Sequence, residues 1–176
     1  MKYLAIALFL GLGLQAQKVS TRAGYIKFFS DAAVEDIEAE NKQVSSILNL
    51  ENGQFAFLVP IKAFQFEKAL MQEHFNENYL ESGQYPNASF KGSIEDYAKI
   101  DLSKDGVHNL VFAGKMTLHG VEKSIKEKVL VEVKGGKLGL SSSFKLLASD
   151  YEVKIPSSKQ DNISNELAIT VKMQYD

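Results

Sequence analysis

Residues 121–147 read VEKSIKEKVLVEVKGGKLGLSSSFKLL, and this stretch decides the fold. Val121, Ile125, Val129, Val131 and Val133 recur at even spacings with Lys and Glu between them, the period of a strand that lays one face on a core. Lys134-Gly135-Gly136-Lys137 follows, a hairpin turn whose glycines permit positive φ. Leu138, Leu140, Phe144 and Leu146 then resume the alternation. Outward from here the rhythm persists. Val107–Leu118 aligns Leu110, Phe112, Met116 and Leu118, and Asn165–Tyr175 aligns Leu167, Ile169, Val171, Met173 and Tyr175. Gln54–Ile61 carries Phe55, Phe57, Val59 and Ile61 on one face, and weaker patterns mark Tyr25–Phe29, Ile37–Leu50 and Ala88–Ile94. The count is eight strands, an all-β chain that closes as an antiparallel barrel or stacks as a sandwich. Only Lys68–Leu80 breaks the period: Met71, Phe75 and Tyr79 stand at i, i+4, i+8, and Pro86 follows, so one short helix is inserted.

The chain of 176 residues is 45% hydrophobic and 24% charged, which fits one globular domain and excludes disorder as its main state. Twenty basic against 22 acidic residues leave no basic face, so no nucleic-acid partner is expected. There is no cysteine, which removes disulfides, thiolate nucleophiles and Cys-based metal sites together. The N-terminus, MKYLAIALFLGLGLQAQ, has Lys2, an apolar run Leu4–Leu14 and the small Ala16, the three parts of a secretory signal peptide. The run is too short to span a bilayer, so stable membrane insertion is not expected. We read residues 1–16 as a signal peptide and 17–176 as one domain, exported to the periplasm.

The search for chemistry returns little. GxSxG, Walker A, GxGxxG and HExxH motifs are absent. His74, His108 and His119 are far apart, and a metal reading of His74 lacks further ligands, so no metal or cofactor is expected. His119 falls in the connection Leu118-His119-Gly120-Val121, where an exposed side chain is expected. Glu38 and Glu40 share a strand face, but paired acids on a solvated strand are far commoner than catalytic dyads. No catalytic residue is assigned, and the chain is read as not an enzyme. The aromatic residues concentrate in the middle of the chain, which the residues alone leave as either a packed core or a barrel interior lined for one slender ligand.

Three stretches resemble the YceI-like family. MQEHFNENYLESGQYPNASFKG carries His74, Phe75, Tyr85, Pro86 and Phe90 in the places of the family's helix and Tyr-Pro-x-x-x-Phe strand start. Gly114-Lys115-Met116-Thr117-Leu118-His119-Gly120-Val121-Glu122-Lys123 is similar to Gly-x-Leu-Thr-x-x-Gly-Val-x-Lys, with Met for Leu. A late Asp150-Tyr151 follows the Ser143-Phe144 strand. The resemblance implies an eight-stranded, lipocalin-like antiparallel β-barrel whose apolar pore, closed by the helix, holds a polyisoprenoid or a quinone tail. Phe57, Val59, Phe64, Phe66 and Met71 are the expected pore lining, with Phe75, Phe90, Phe112 and Met116. The chain departs from the family at its front, with no Trp, so the first strand is expected to be short and the pore mouth altered. A filled barrel serving as an interaction or structural module is the rival expectation, and a homodimer is left open.

Overall fold

Two turns, each with both residues at positive φ, fold the chain into three long antiparallel strands. His119 (φ 50°) and Gly120 (φ 77°) form the first, Gly135 (φ 57°) and Gly136 (φ 76°) the second. Such turns match the right-handed twist of the strands they join. The structure, a computed structural model, describes residues 18–175, and the expected signal peptide at residues 1–16 lies outside them. Its elements are β1 (Lys18–Ser30), β2 (Ile37–Asn49), β3 (Gln54–Pro60), β4 (Gln65–Phe66) and α1 (Ala69–His74), then β5 (Asn87–Ile94), β6 (Gly106–Leu118), β7 (Val121–Lys134), β8 (Lys137–Leu147) and β9 (Glu166–Tyr175).

The ladders run β1-β9-β8-β7-β6-β5-β3-β2 and return to β1, so eight antiparallel strands close a ring, as the sequence predicts. β4 is two residues laid on Ala39 and Glu40 of β2. Closure pairs most of each sheet edge, the exception being the β7–β8 seam beyond Leu130↔Ser141. Strand β3 pairs directly with β5, and residues 61–86 leave the ring between them at one end. The β6–β7 turn sits at that same end, which we call the upper one.

Two expectations change. β1 is not short: it begins at Lys18 and pairs with β2 from Lys18↔Asn49 onward. Its first five residues are exposed or half-buried, so no apolar alternation announces them; the ladder holds them. The helix does not run from 68 to 80 as one piece. After the six residues of α1 it widens into a π-helical turn over Phe75–Tyr79, where the Leu80 N–H donates to Phe75 O at 2.9 Å. The Asn76 side-chain amide donates to Gln72 O at 2.8 Å, competing for a carbonyl of the α-helical ladder.

The lower half of the barrel is solid. Val44, Leu48, Phe112, Val131 and Met173 are at most 1% exposed. β1 passes so close to β9 there that a Cβ on Gly24 would stand 2.1 Å from Met173 Sδ. Tyr175 adds a buried hydrogen bond between its hydroxyl and Ser46 Oγ at 2.7 Å. Each large apolar side chain buried in this half contributes about 1.5–3 kcal/mol. The filling stops midway up the barrel.

Candidate ligand cavity

Above the solid half lies a cavity of about 170 Å³, walled almost wholly by carbon. It exists because inward side chains of opposed strands do not meet across the upper ring: Val59 of β3, Phe90 of β5, Met116 of β6, Ile125 of β7, Phe144 of β8 and Ile169 of β9 border open space. Phe55, Phe57, Phe90 and Phe112 form a cluster along one wall, with the Phe55 ring centroid 4.6 Å from Phe112 and 4.8 Å from Phe90. A second aromatic cluster closes the top. Phe75, carried by the π-helical turn, stacks on Phe28 of β1 at 5.6 Å and packs edge-on against Phe64 at 5.6 Å and tilted against Phe66 at 5.0 Å.

Beyond that upper cluster a cleft of about 360 Å³ opens between α1 and residues 153–164. Phe28, Phe75, Leu80 and Leu167 border both spaces, so the aromatic cluster is the partition between them. The cleft is more polar, with Ser30, Lys68, His74, Asn162 and Ser164 on its walls. The Ser164 N–H donates to the buried Ser30 Oγ at 2.9 Å and pins the far side of the cleft to β1.

Of the nine side chains expected to line a pore, Phe57, Val59, Phe64, Phe75, Phe90, Phe112 and Met116 border the cavity. Phe66 and Met71 lie outside it, on the cleft. Sequence reasoning missed Phe28, because it lies on the strand with the weakest pattern. It also missed Glu127, a carboxyl on the cavity wall. The signal was available: Glu127 occupies an odd position in the run from Val121 to Val133, so it shares the inward face. Burial pushes its carboxyl above the ordinary glutamate range.

His119 is not exposed as expected: its side chain retains 11% exposure. Nε2 lies 2.7 Å from Glu81 Oε2, Nδ1 lies 3.2 Å from Tyr151 O, and the ring meets Tyr85 edge-on at 4.8 Å. The turn is thus a fastening point for the chain that follows α1. Glu38 and Glu40 are not a free pair: Lys27 binds Glu38 at 2.7 Å, while Lys42 and the Tyr25 hydroxyl both reach Glu40 at 2.9 Å. Among the described residues no group of three or more His, Cys, Asp or Glu side chains is placed to hold a metal ion. No described helix is long and apolar enough to cross a membrane.

The site is therefore a carbon-walled compartment whose upper end is closed by an aromatic cluster. Comparison with known proteins agrees on architecture. A polyisoprenoid binding domain from Saccharophagus degradans, implicated in plant cell wall breakdown, superposes with a TM-score of 0.75 at 13% identity, over 92% of this chain and 99% of that one. Burkholderia cenocepacia BcnA gives 0.69 at 14%, over 86% and 95%. The Campylobacter jejuni YCEI protein gives 0.60 at 16%, over 100% and 99%. No curated protein sequence matches the chain. The model of the YceI-like domain matches residues 16–175, nearly the whole sequence, and the chain belongs to the YceI-like family.

Proposed function

We propose that the protein is an exported, non-catalytic lipid-binding protein that holds an isoprenoid-type chain in its barrel, as carrier or scavenger in the periplasm. The observation that carries this reading is the carbon-walled cavity of about 170 Å³, separated by a partition of four phenylalanines from a cleft of about 360 Å³. The S. degradans relative, described as polyisoprenoid binding, supports the ligand class. The export rests on the pattern of residues 1–16.

Magnitudes are compatible. Since a cavity of about 150 Å³ holds one benzene, the cavity takes about one isoprene unit and the cleft about two or three more. Ten buried carbons at about 0.8 kcal/mol each supply about 8 kcal/mol, near micromolar before the costs of association. The solid-barrel alternative has no use for this empty space.

Native mass spectrometry of protein purified without detergent, then incubated with geranylgeraniol, tests the reading. A stoichiometric mass increase is expected; an unchanged apo mass overturns it. The intact mass of the same preparation tests export, since cleavage after Ala16 removes the first sixteen residues.

A further inference from the structure

Strands β7 and β8 part company halfway up the barrel. Their ladder runs from Lys134↔Lys137 only to Leu130↔Ser141, although β7 continues to Val121 and β8 to Leu147. The Ser142 hydroxyl terminates it by donating to Lys128 O at 2.7 Å. Above that point the ring is held together by its other seams, and the turn Ala148–Tyr151 reaches the β7 side through Asp150 on Lys123 at 2.8 Å and Tyr151 O beside His119 Nδ1 at 3.2 Å. A break in the wall of a closed barrel lets water and polar groups approach an otherwise dry interior.

Glu127 stands at this break and borders the cavity, as does Ser142. Among the described residues it makes no hydrogen bond and no ion pair, and two lysines close to it on the strand, Lys123 and Lys126, are engaged elsewhere. Lys123 binds Asp150 at 2.8 Å, with its ammonium 5.9 Å from the centre of the Tyr151 ring, and Lys126 binds Glu95 at 2.6 Å. The Tyr151 phenol is close enough to feel the charge of Glu127 as well as that of Asp150. Glu127 is half-buried, so its lack of a partner carries part of the cost that a fully buried polar group would carry. A ligand group that donates to it removes that cost.

We infer that Glu127, with Ser142 beside it, is the polar subsite of the cavity, and that the lipid it selects bears a hydrogen-bond donor, a hydroxyl or an amine, on its apolar chain. This deepens the lipid-binding reading and rests on it. A carboxylate only accepts, so it discriminates against chains whose polar end only accepts, such as ethers, esters and quinone carbonyls. Discrimination of this kind arises because an unmatched ligand covers the half-buried carboxyl and leaves it unpaired.

Binding of farnesylamine, farnesol and farnesyl methyl ether, which share one tail, is measured at pH 7.5 with the wild-type protein, Glu127→Gln and Glu127→Leu. The wild type is expected to bind the amine and the alcohol at least tenfold more tightly than the ether. Glu127→Gln keeps the shape and the hydrogen bond but loses the charge, so the amine loses its advantage while the alcohol is retained. Glu127→Leu levels all three or favours the ether. Equal wild-type affinities for the three, or discrimination that survives Glu127→Leu, overturns the subsite while leaving lipid binding standing. Failure of every probe with every variant, each shown folded by its β-sheet circular dichroism, overturns the lipid-binding reading and the subsite with it.

Discussion

His119 Nε2 lies 2.7 Å from Glu81 Oε2, a contact across 38 residues that ties the chain leaving the lid to the turn between β6 and β7. The other ring nitrogen faces Tyr151 O, so one imidazole joins three segments of the upper rim. Backbone at positive φ is uncommon outside glycine but enriched for His, and here the αL conformation aims the ring inward across the rim. His119→Ala is expected to cost about 1–3 kcal/mol in urea unfolding, the ordinary range when a hydrogen-bonded group loses its partners. Amide exchange over residues 75–86 should rise selectively; uniform exchange changes across the barrel would show that the contact does not fasten the lid.

The partition formed by Phe28, Phe64, Phe66 and Phe75 predicts a split between stability and ligand kinetics. Phe75 is half-buried on the lid, whereas Phe112 is 1% exposed in the wall. Phe112→Ala should therefore cost about 3–5 kcal/mol, the range for emptying a core aromatic site. Phe75→Ala should cost less, about 1–2 kcal/mol, yet accelerate both uptake and release of a fluorescent prenyl probe by joining cavity to cleft. Unchanged exchange rates in Phe75→Ala would remove the gate from this picture.

Chain length is a second measure of the same geometry. Affinity for prenyl alcohols should rise steeply from two isoprene units and level off near about four, once the cavity and cleft are full on the benzene-sized scale. Isothermal titration across geranyl, farnesyl, geranylgeranyl and longer alcohols reads this directly. A continued rise to eight units would mean that the side chains of the partition rearrange to lengthen the bore.

The Tyr175–Ser46 pair sets an alkaline limit. Burial pushes the Tyr175 hydroxyl up to about 12, partly offset by Ser46. A phenol whose folded value lies above its unfolded value of about 10 favours folding fully below pH 10, and this contribution is lost as pH rises toward 12. Two units correspond to about 3 kcal/mol. Tyr175→Phe should flatten the pH dependence of the urea midpoint in that window while costing about 1–2 kcal/mol at pH 7, where the Ser46 hydroxyl loses its partner. Tyr25, also pushed up to about 12 by burial and by donating to Glu40, remains in both proteins, so their difference isolates Tyr175.

How far these features could be read in advance depended on where each residue's energy comes from. The β7 alternation and its Gly135-Gly136 turn declare themselves because burial and φ act on single residues and their immediate neighbours. The start of β1 at Lys18 did not, since those residues are held by ladder bonds to β2 and carry no apolar face. The π-helical turn was hidden because it depends on Asn76 reaching Gln72 O, a competition that i, i+4 spacing does not encode. Assigning Phe66 and Met71 to the cleft rather than the cavity required knowing where the lid crosses the ring. Glu127 was legible in principle, as a charge in register with valines, but the eye counts such a residue as part of the polar face.

Gly92 and Gly114 face one another across the β5–β6 ladder, on the inward register of both strands. A Cβ on Gly114 would stand 2.3 Å from Lys91 O, and one on Gly92 would stand 2.0 Å from Ala113 O. Backbone, not a flexible side-chain end, occupies each position, so the strands cannot yield by changing a rotamer. The paired glycines let the β5 and β6 backbones approach closely between Phe90 and Ile94, where solid core gives way to cavity. Gly114→Ala is expected to cost about 2–3 kcal/mol through overpacking, and Gly83→Ala, with open space around it, close to nothing. Because the strain falls on the ladder beside Phe90 and Met116, Gly114→Ala should also weaken prenyl-alcohol binding in the fraction that remains folded, which titration at low temperature would detect. A neutral effect of Gly114→Ala on both quantities would mean that the close approach of the two strands is not needed for the barrel wall.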